Sequence, residues 1–572
     1  MKNTAFCLRA LLAFSLLPFS GGLLRAQSWQ WAVGAQTGGG GRSNATATAV
    51  DAAGNTIVAG SFSGTLTLGS FILTSAGSDD IYVARFDPAG GAIQAVRAGG
   101  SDYDYVTGVV VDAGGTVTVV GEFNSPTIAF GPNTLTNANP TVGNSSTADV
   151  FVARLNSTGT WVQALAAGGP SSDYANAVAL DGSGNPVVAG TFRNAAAFGA
   201  TTLSSAGGDD IFVGRVNPNG TWGTVTPAGG SDRDYPSRLA VEASGGVVVA
   251  GIFGSQTIAF GLSVLANNGV VGFSNEIFVA RLAPAGTWTS AVRAGGPDTE
   301  LVSGLALSAS NEAVVYGRYS GTATFGALAL TSTAGGGSLD IFVARLSNAN
   351  IWTQAISGGG DGTEFPTAFA LDADGTATVG GYFYGPATVF GSITLLNANP
   401  SPGPPMPART ADGFLARLSP AGTWTQALRI GGPADDAIGG LAAAGAGRVS
   451  VVGQFNSPTI AFDGVVLSNS GSTGNGAAFV ARLAGLTLAT HAALSAEVFT
   501  LAPNPATATV RLVWPEASAA VRAVLVFDAL GREVRRQQLP ARSTAATLDV
   551  VGLTPGIYLV RCGPATQLLQ VE

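Results

Sequence analysis

Seven copies of one short segment recur along the 572-residue chain, and their pattern is acid, apolar, aromatic, apolar, small, arginine, apolar. The copies are Asp80–Phe86, Asp149–Leu155, Asp210–Val216, Glu276–Leu282, Asp340–Leu346, Asp412–Leu418 and the degenerate Ala477–Leu483. Their arginines, 61 to 72 residues apart, are Arg85, Arg154, Arg215, Arg281, Arg345, Arg417 and Arg482. A period this long predicts an array of supersecondary units, whatever the function is.

One repeat is clearest between Asp104 and about Gly169, where turn residues separate four short apolar segments. These segments are Val106–Asp112, Thr116–Phe123, Asp149–Leu155 and Trp161–Ala167. No segment has a sustained helical period. Because four-stranded sheets repeated around an axis form a β-propeller, we predict an all-β fold with a seven-bladed propeller over residues 27–483.

The two ends of the repeat array predict how it closes. No fourth strand of the tryptophan type follows Leu483, whereas Trp29–Gln36 resembles Trp424–Ile430, the fourth strand of an earlier copy. We therefore predict that Trp29–Gln36 is the outer strand of the last blade. This arrangement would remove the open sheet edges that favour aggregation.

Residues 1–26 have the three parts of an export signal. Lys2 and Arg9 precede the short apolar core Ala10–Leu17, and Leu24–Ala26 supplies a small-residue cleavage site. The core is too short to span a membrane, and no later segment has about 20 unbroken apolar residues. We predict an exported, monomeric protein with no transmembrane segment, and Cys562, its one cysteine after cleavage, cannot form an intrachain disulfide.

Charge and residue type exclude several functions. Lys2 is the only lysine and the net charge is −8, so a basic nucleic-acid-binding face is not supported. The predicted propeller has neither histidine nor cysteine, which excludes Ser-His-Asp and Cys-His catalysis and the usual zinc ligand sets. Paired carboxylates remain possible for a glycosidase, but none is singled out, and we assign no catalytic residue.

Acids recur four residues after the second glycine of a Gly-Gly pair in six repeats. They are the candidate ligand or cation-binding residues Asp104, Asp173, Asp234, Glu300, Glu364 and Asp436. They could form a carboxylate ring at one channel mouth that holds calcium or a polyhydroxyl ligand. Alternatively, they accept hydrogen bonds from turn amides or pair with the repeated arginines. We favour this architectural alternative and predict no cofactor other than, at most, calcium.

The repeated arginines and tryptophans could likewise be either ligand contacts or architectural residues. The arginines could contact anions, or each could pair with the acid five residues earlier or with the acid of the turn. Trp161, Trp222, Trp288, Trp352 and Trp424 could stack on sugars, but one per blade favours packing between blades. The tyrosines Tyr103, Tyr105, Tyr174 and Tyr235 are weaker site candidates.

The repeats over about residues 29–483 resemble the bacterial SBBP-type propeller repeats. The resemblance depends on an Asp-x-x-Gly turn, a Val-x-Gly-x-Phe strand and the arginine strand, as in Asp181–Gly184, Val188–Phe192 and Asp210–Arg215. It implies a secreted or surface scaffold and no particular activity.

The segment 498–572, after the linker 484–497, has the strand pattern of a small β-sandwich. Its most distinctive motif residues are Pro503, Asn504, Pro505, Gly531, Gly556 and Tyr558. With these residues the segment resembles the type A C-terminal sorting domain of the type IX secretion system of Bacteroidota. The resemblance implies Sec-dependent export to the periplasm, translocation across the outer membrane by the type IX machinery, and release or surface attachment.

The sequence as a whole predicts a secreted or cell-surface binding or adhesion scaffold. Its partners would be the type IX machinery and a surface glycan or protein ligand. Two alternatives remain: a carbohydrate-active hydrolase or lyase that uses carboxylates near the channel mouth, and a purely structural surface component.

Overall fold

The computed structural model describes residues 28–38, 40–140, 147–269, 274–333, 338–399, 410–469, 475–485, 499–514, 522–528, 533–562 and 565–572. The predicted signal peptide, Gly531 and most of the predicted linker lie outside these ranges. The described residues form two compact units, 28–485 and 499–572. Their regular elements are strands, which confirms the all-β prediction. No helix among them has the length and apolar character to cross a membrane.

Most strands in the described part of residues 28–485 belong to seven four-stranded antiparallel sets, here called sheets one to seven. In sheets one to six the chain order is also the order of pairing. Sheet one has Ala47–Val50, Thr56–Phe62, Asp80–Phe86 and Ala92–Ala98; sheet two has Asp104–Val111, Val117–Phe123, Asp149–Leu155 and Trp161–Ala167. Sheet three has Tyr174–Leu180, Pro186–Phe198, Thr201–Val216 and Trp222–Gly230; sheet four has Asp234–Val241, Val247–Phe253, Glu276–Leu282 and Trp288–Ala294. Sheet five has Leu301–Leu307, Ala313–Tyr319, Asp340–Leu346 and Trp352–Gly358; sheet six has Glu364–Leu371, Ala377–Phe383, Asp412–Leu418 and Trp424–Ile430.

Sheet seven combines both ends of the array. Asp436–Ala443, Val449–Phe455 and Ala477–Leu483 are its first three strands, and Trp29–Gly34 is the fourth. Trp31 lies opposite Arg482 and Val33 opposite Val480 in this pairing. The predicted strand Trp29–Gln36 is too long: the chain leaves the sheet at Ala35, and Gln36–Gly38 pairs with Thr65–Leu68 of a different sheet.

The glycine of the Val-x-Gly-x-Phe segment is explained by a β-bulge between the first and second strands, which is present in sheets two to seven. In sheet two the register between the first and second strands shifts between Val120 and Gly121. A side chain at Gly121 would overlap the carbonyl oxygen of Tyr105 and press on the Phe151 ring. Glycine is therefore required where the bulged first strand comes closest to the second.

A two-stranded hairpin connects the second and third strands of most sheets. The hairpins are Thr65–Leu68 with Phe71–Thr74, Thr127–Phe130 with Asn133–Thr136, Thr257–Phe260 with Ser263–Ala266, Thr322–Phe325 with Leu328–Thr331, Ala387–Phe390 with Ile393–Leu396, and Thr459–Phe462 with Val465–Ser468. In sheet three the long second and third strands form it themselves. In sheets two to seven the hairpin buries a phenylalanine, such as Phe130, against the tryptophan of the fourth strand, whereas sheet one has Leu68 in the hairpin and no tryptophan in its fourth strand.

Neighbouring sheets share their apolar cores. One cluster joins Ile57 and Ile81 of sheet one to Val119 and Phe151 of sheet two. Another joins sheet one to Val452 and Val480 of sheet seven. The first strand of each sheet contacts the first strand of the next, and the first strand of sheet seven contacts that of sheet one. The described sheets thus follow one another in a closed cycle.

The C-terminal unit has two antiparallel sheets over one core. Thr500–Ala502, Thr509–Val513 and Ala545–Asp549 form the first sheet. Glu533–Leu539, Arg522–Phe527, Gly556–Cys562 and Ala565–Val571, in order of pairing, form the second. Side chains of both sheets share a single hydrophobic cluster, in which Cys562 is buried.

Candidate ligand-binding site

The six candidate acids lie at or next to the starts of the first strands, and they are buried. In sheet two, Asp104 Oδ2 accepts hydrogen bonds from the Gly100 amide at 2.8 Å and the Ser125 hydroxyl at 3.0 Å. In sheet seven, Asp436 accepts the corresponding bonds from Gly432 and Ser457, at 2.7 and 2.6 Å. These contacts favour the architectural alternative, because each carboxylate is occupied by its own loops.

The other four acids are equally enclosed. Asp234 accepts from Ser255, and Asp173 accepts from the Arg193 amide. Glu300 and Glu364 are fully buried, with the Gly296 amide beside Glu300 and the Gly360 amide and Thr388 hydroxyl beside Glu364. No group of three or more histidine, cysteine or acidic side chains in the described ranges could hold a metal ion.

Burial dominates the ionisation of these acids. It raises the pKa of Asp104, Asp173 and Asp234 to about 7 and that of Glu300 and Glu364 to about 8. The pKa of Asp436 is also raised by burial. The folded protein therefore retains protons that the unfolded chain releases above pH ~4.

This retention predicts that stability falls as the pH rises. Since the folded state binds more protons, its stabilisation is full below the unfolded pKa and is lost through the folded values of about 7 to 8. We expect a higher unfolding temperature at pH 5.5 than at pH 8.5, measured by calorimetry. Glu300→Gln should reduce this difference, whereas Asp361→Asn, at an exposed acid, should not. An unfolding temperature that rises with pH would contradict the prediction.

The repeated arginines join neighbouring sheets rather than presenting charge to a ligand. Arg85 Nη1 pairs with Asp51 in its own sheet at 2.9 Å, and its Nη2 donates to the Gly115 carbonyl of the next sheet at 2.8 Å. Arg345 and Arg417 donate to the equivalent carbonyls of Gly375 and Gly447. Neither of the two partners predicted from sequence is found for Arg85: Asp80, the acid five residues earlier, pairs with Arg97 of the fourth strand, and Asp51 does not belong to a Gly-Gly loop.

The repeated tryptophans also connect neighbouring sheets. Trp161 donates its indole N–H to the carbonyl of Arg97, and Trp222 to that of Ala166, each in the preceding sheet. All five are at most 8% exposed, and their faces pack on hairpin phenylalanines. This placement favours packing between sheets over sugar stacking.

A narrow central opening is lined by the first strands of all seven sheets. Its cavity has a volume of about 160 Å³, and Arg238 is the one charged residue among its lining residues. The corresponding positions carry alanine or glycine in the other sheets, as at Ala177 and Gly304. Burial lowers the pKa of Arg238, a residue that the sequence analysis did not select.

A larger pocket, here called the tyrosine pocket, lies between sheets three and four. Its volume is about 440 Å³, and it is lined by Thr147, Pro170, Ser171, Ser172, Tyr174, Arg193, Asp209, Arg233 and Tyr235. It lies at the end of the sheets where the first strands begin. The structure thus brings together two of the four candidate tyrosines, Tyr174 and Tyr235.

Asp209 organises the polar part of the tyrosine pocket. Arg193 binds it through two nitrogens, Nε at 2.6 Å and Nη2 at 2.9 Å, and the Tyr235 hydroxyl donates to it at 2.9 Å. Arg233 approaches it only to 3.9 Å and is 63% exposed at its side chain. Tyr174 is 39% exposed. The pocket therefore offers a ligand the Tyr235 ring, which is fixed by its hydrogen bond to Asp209, and the exposed guanidinium of Arg233. Its two arginines and one aspartate leave a net positive charge.

Two related clusters lie at the same end of other sheets. Arg42 binds Asp79 at 2.6 Å, and Tyr103 stacks on Tyr105 with ring centroids 6.1 Å apart. Arg318 lies 4.6 Å above the centroid of the Phe365 ring, which stacks on Tyr382. This end of the sheets thus carries exposed aromatic and arginine side chains that are not repeated in every sheet.

The sorting-domain motif residues hold the last strand in place. The Asn504 side chain donates to the Leu568 carbonyl and accepts from the Gln570 amide, both at 2.8 Å. Pro503 and Pro505 flank it, each after a cis peptide bond. The Tyr558 hydroxyl donates to the Thr554 carbonyl at 2.7 Å, while Gly556 begins its strand. The motif therefore includes contacts that fix the C-terminal hairpin.

Residues 500–570 match the family model described as a secretion system C-terminal sorting domain. The chain is therefore exported by the type IX route and is secreted or located at the cell surface. No curated protein matches the chain.

Three solved structures have remote similarity to the chain. A protein of unknown function from Dyadobacter fermentans DSM 18053 is 9% identical, with 80% of this chain and 98% of that chain covered and a TM-score of 0.38. The extracellular domain of a putative one-component system from B. thetaiotaomicron is 10% identical, with 95% and 99% covered and a TM-score of 0.14. That of a putative hybrid two-component system from the same organism is 9% identical, with 92% and 97% covered and a TM-score of 0.13. Similarities at these scores carry no conclusion about fold or function.

Proposed function

We propose that this protein is a seven-bladed β-propeller that acts outside the cell as a glycan-binding scaffold. Seven sheets in a closed cycle, with the N-terminal strand in sheet seven, support the propeller. We also propose that the repeats are of the SBBP type, which they resemble in sequence. The sorting domain supports this proposal, because a protein released or attached outside the cell can meet surface and extracellular polysaccharides.

The tyrosine pocket is the observation that carries the binding proposal. Tyr174 presents an exposed aromatic face, on which the apolar face of a sugar ring can stack. Arg233 supplies free N–H donors, and Arg193 is held in position by Asp209. Because two arginines face one aspartate, the favoured ligand is a polysaccharide that carries acidic groups.

Substitutions in the pocket test this binding. On a glycan array, the full chain should bind acidic glycans, and Tyr174→Ala or Arg233→Ala should each weaken binding about tenfold, the loss expected for one good aromatic or charged contact. Val162→Ala, at an exposed residue of sheet two, is the matched control and should bind normally. Equal binding by all variants would exclude this pocket, and no binding to any glycan would exclude the function.

The same array, run with and without calcium, tests whether the candidate acids bind that cation.

The enzyme alternative predicts release of reducing ends from polysaccharides. A lyase mechanism that uses Tyr235 as its base is disfavoured, because burial raises the pKa of this tyrosine to about 12. The purely structural alternative predicts neither binding nor release.

A further inference from the structure

The turn between the first and second strands of sheet seven departs from that of the other sheets. In sheets one, two, four and six this turn supplies the acid that pairs with the repeated arginine: Asp51, Asp112, Glu242 and Asp372. In sheet three Asp181 has the same position but accepts hydrogen bonds from its own turn, and Arg215 donates to the Gly245 carbonyl. In sheet five Ser308 replaces the acid, and Glu312, four residues later, pairs with Arg345 at 3.3 Å.

Sheet seven has no such replacement. Ala444 has the position of the acid, and four residues later the chain has Arg448 where sheet five has Glu312. The outer hydrogen bond of the turn is kept, since the Ala444 amide donates to the Arg448 carbonyl at 2.8 Å as Asp51 does to Asn55. The inner bond differs, because it runs from the Arg448 amide to the Gly445 carbonyl at 3.1 Å, and Ala446 has a φ of 52°. The turn of sheet seven therefore lacks a carboxylate, has an added positive charge and follows a different backbone path.

Arg482, the repeated arginine of sheet seven, is left buried without an acidic partner. It is 1% exposed, and among the described residues it forms no ion pair. Its Nη2 donates to the hydroxyls of Thr56 at 2.7 Å and Ser450 at 3.2 Å, and its guanidinium carbon lies 5.7 Å from the centroid of the Trp31 ring. Burial and the nearby Arg448 lower the pKa of Arg482, and the nearby Asp51 opposes them. A buried guanidinium without a carboxylate in contact favours an anion that can reach it.

A cavity lies beside this arginine, between the turns of sheets seven and one. Its volume is about 380 Å³, and Ala444, Arg448, Arg482, Asp51 and Pro88 are among its lining residues. Asp51 is already bound by Arg85 at 2.9 Å, so Arg448 and Arg482 remain as surplus positive charge. The volume is in the range of small-molecule sites, about 300–1,000 Å³. This cavity is at the opposite end of the sheets from the tyrosine pocket.

We propose that this cavity binds a small organic acid, whose carboxylate takes the place of the missing turn acid and contacts Arg482 and Arg448. The cavity is larger than a single carboxylate needs, so the ligand extends from Arg482 toward the exposed Arg448. The site is independent of glycan binding at the tyrosine pocket.

Calorimetric titration of the full chain with succinate tests the proposal, with neutral succinamide as the ligand control. We expect saturable binding of succinate and none of succinamide. Ala444→Asp, which restores the built-in carboxylate, should weaken succinate binding at least about tenfold and raise the unfolding temperature. Arg448→Gln, at an exposed residue, should weaken binding about threefold or more by removing one charged contact.

Ser308→Asp is the matched control, because it adds the same carboxylate at the equivalent turn of sheet five. It should leave succinate binding unchanged, as should Tyr174→Ala in the tyrosine pocket. No saturable binding of succinate, or binding that persists in Ala444→Asp and in Arg448→Gln, would overturn the proposal.

Discussion

Deletion of residues 28–35 should lower the unfolding free energy of the unit 28–485 more than any single substitution. The deletion removes the fourth strand of sheet seven, which is the only strand of that sheet supplied by the N-terminal end of the described chain. Trp31 would lose its packing on Phe86 and its hydrogen bond to the Pro88 carbonyl at 2.9 Å. Because removal of one buried tryptophan side chain costs about 3–5 kcal/mol, we expect a loss above about 5 kcal/mol. The exposed edge of Ala477–Leu483 should also promote aggregation.

A synthetic peptide of residues 28–35 provides the control for this deletion. Trp29–Gly34 is joined to its partner strand by hydrogen bonds and not by a hairpin, so the peptide should bind the deleted protein and restore its unfolding temperature in a concentration-dependent way. The same peptide with Trp31→Ala should restore less. An unchanged unfolding temperature after the deletion would show that the strand does not close the array.

The strand order was predictable from sequence because it depends on a repeated pattern. Trp29 begins the fourth strand of sheet seven and lies opposite Leu483, as Trp161 begins the fourth strand of sheet two and lies opposite Leu155. The end of the closing strand was not predictable from the pattern. Ala35 still donates to Ala478 at 2.8 Å, but Gln36 then pairs with Thr67. This change of partner depends on a hairpin that the pattern did not reveal.

The arginine partners were predicted wrongly for a simple geometric reason. Side chains five residues apart on a strand point to opposite faces, so Asp80 and Arg85 cannot pair. Arg85 instead reaches Asp51, on the first turn of the same sheet, and the carbonyl of Gly115 in the next sheet. The approach of two sheets is a tertiary feature that spacing within one repeat does not contain.

The tyrosine pocket was predictable only in part. Tyr174 and Tyr235 were named from sequence, but Arg193, Asp209 and Arg233 were not. The sequence did contain a signal: an extra aspartate precedes the third strand in Asp79-Asp80 and Asp209-Asp210 and in no other copy. Both extra aspartates bind an arginine and a tyrosine. Departures from a repeat therefore locate this candidate site better than its regular positions do.

Arg417→Met should be the most destabilising substitution among the repeated arginines. Arg417 is 2% exposed at its side chain, pairs with Asp372 at 3.3 Å and donates to the Gly447 carbonyl of sheet seven at 2.5 Å. Methionine would fill the volume but leave Asp372, itself 10% exposed, without its cation. Since removal of one partner of a buried ion pair costs about 3–5 kcal/mol, we expect a loss of that size in urea unfolding.

Arg215→Met is the matched control for this substitution, because Arg215 donates to the equivalent carbonyl of Gly245 but forms no ion pair among the described residues. Its loss should be limited to about 1–3 kcal/mol, the cost of one unsatisfied buried acceptor. The double variant Arg417→Met, Asp372→Asn should recover part of the loss, because it removes the uncompensated charge. If Arg417→Met costs no more than Arg215→Met, the carboxylates of the turns do not stabilise the junctions between sheets, and the carbonyl contacts alone hold the neighbours together.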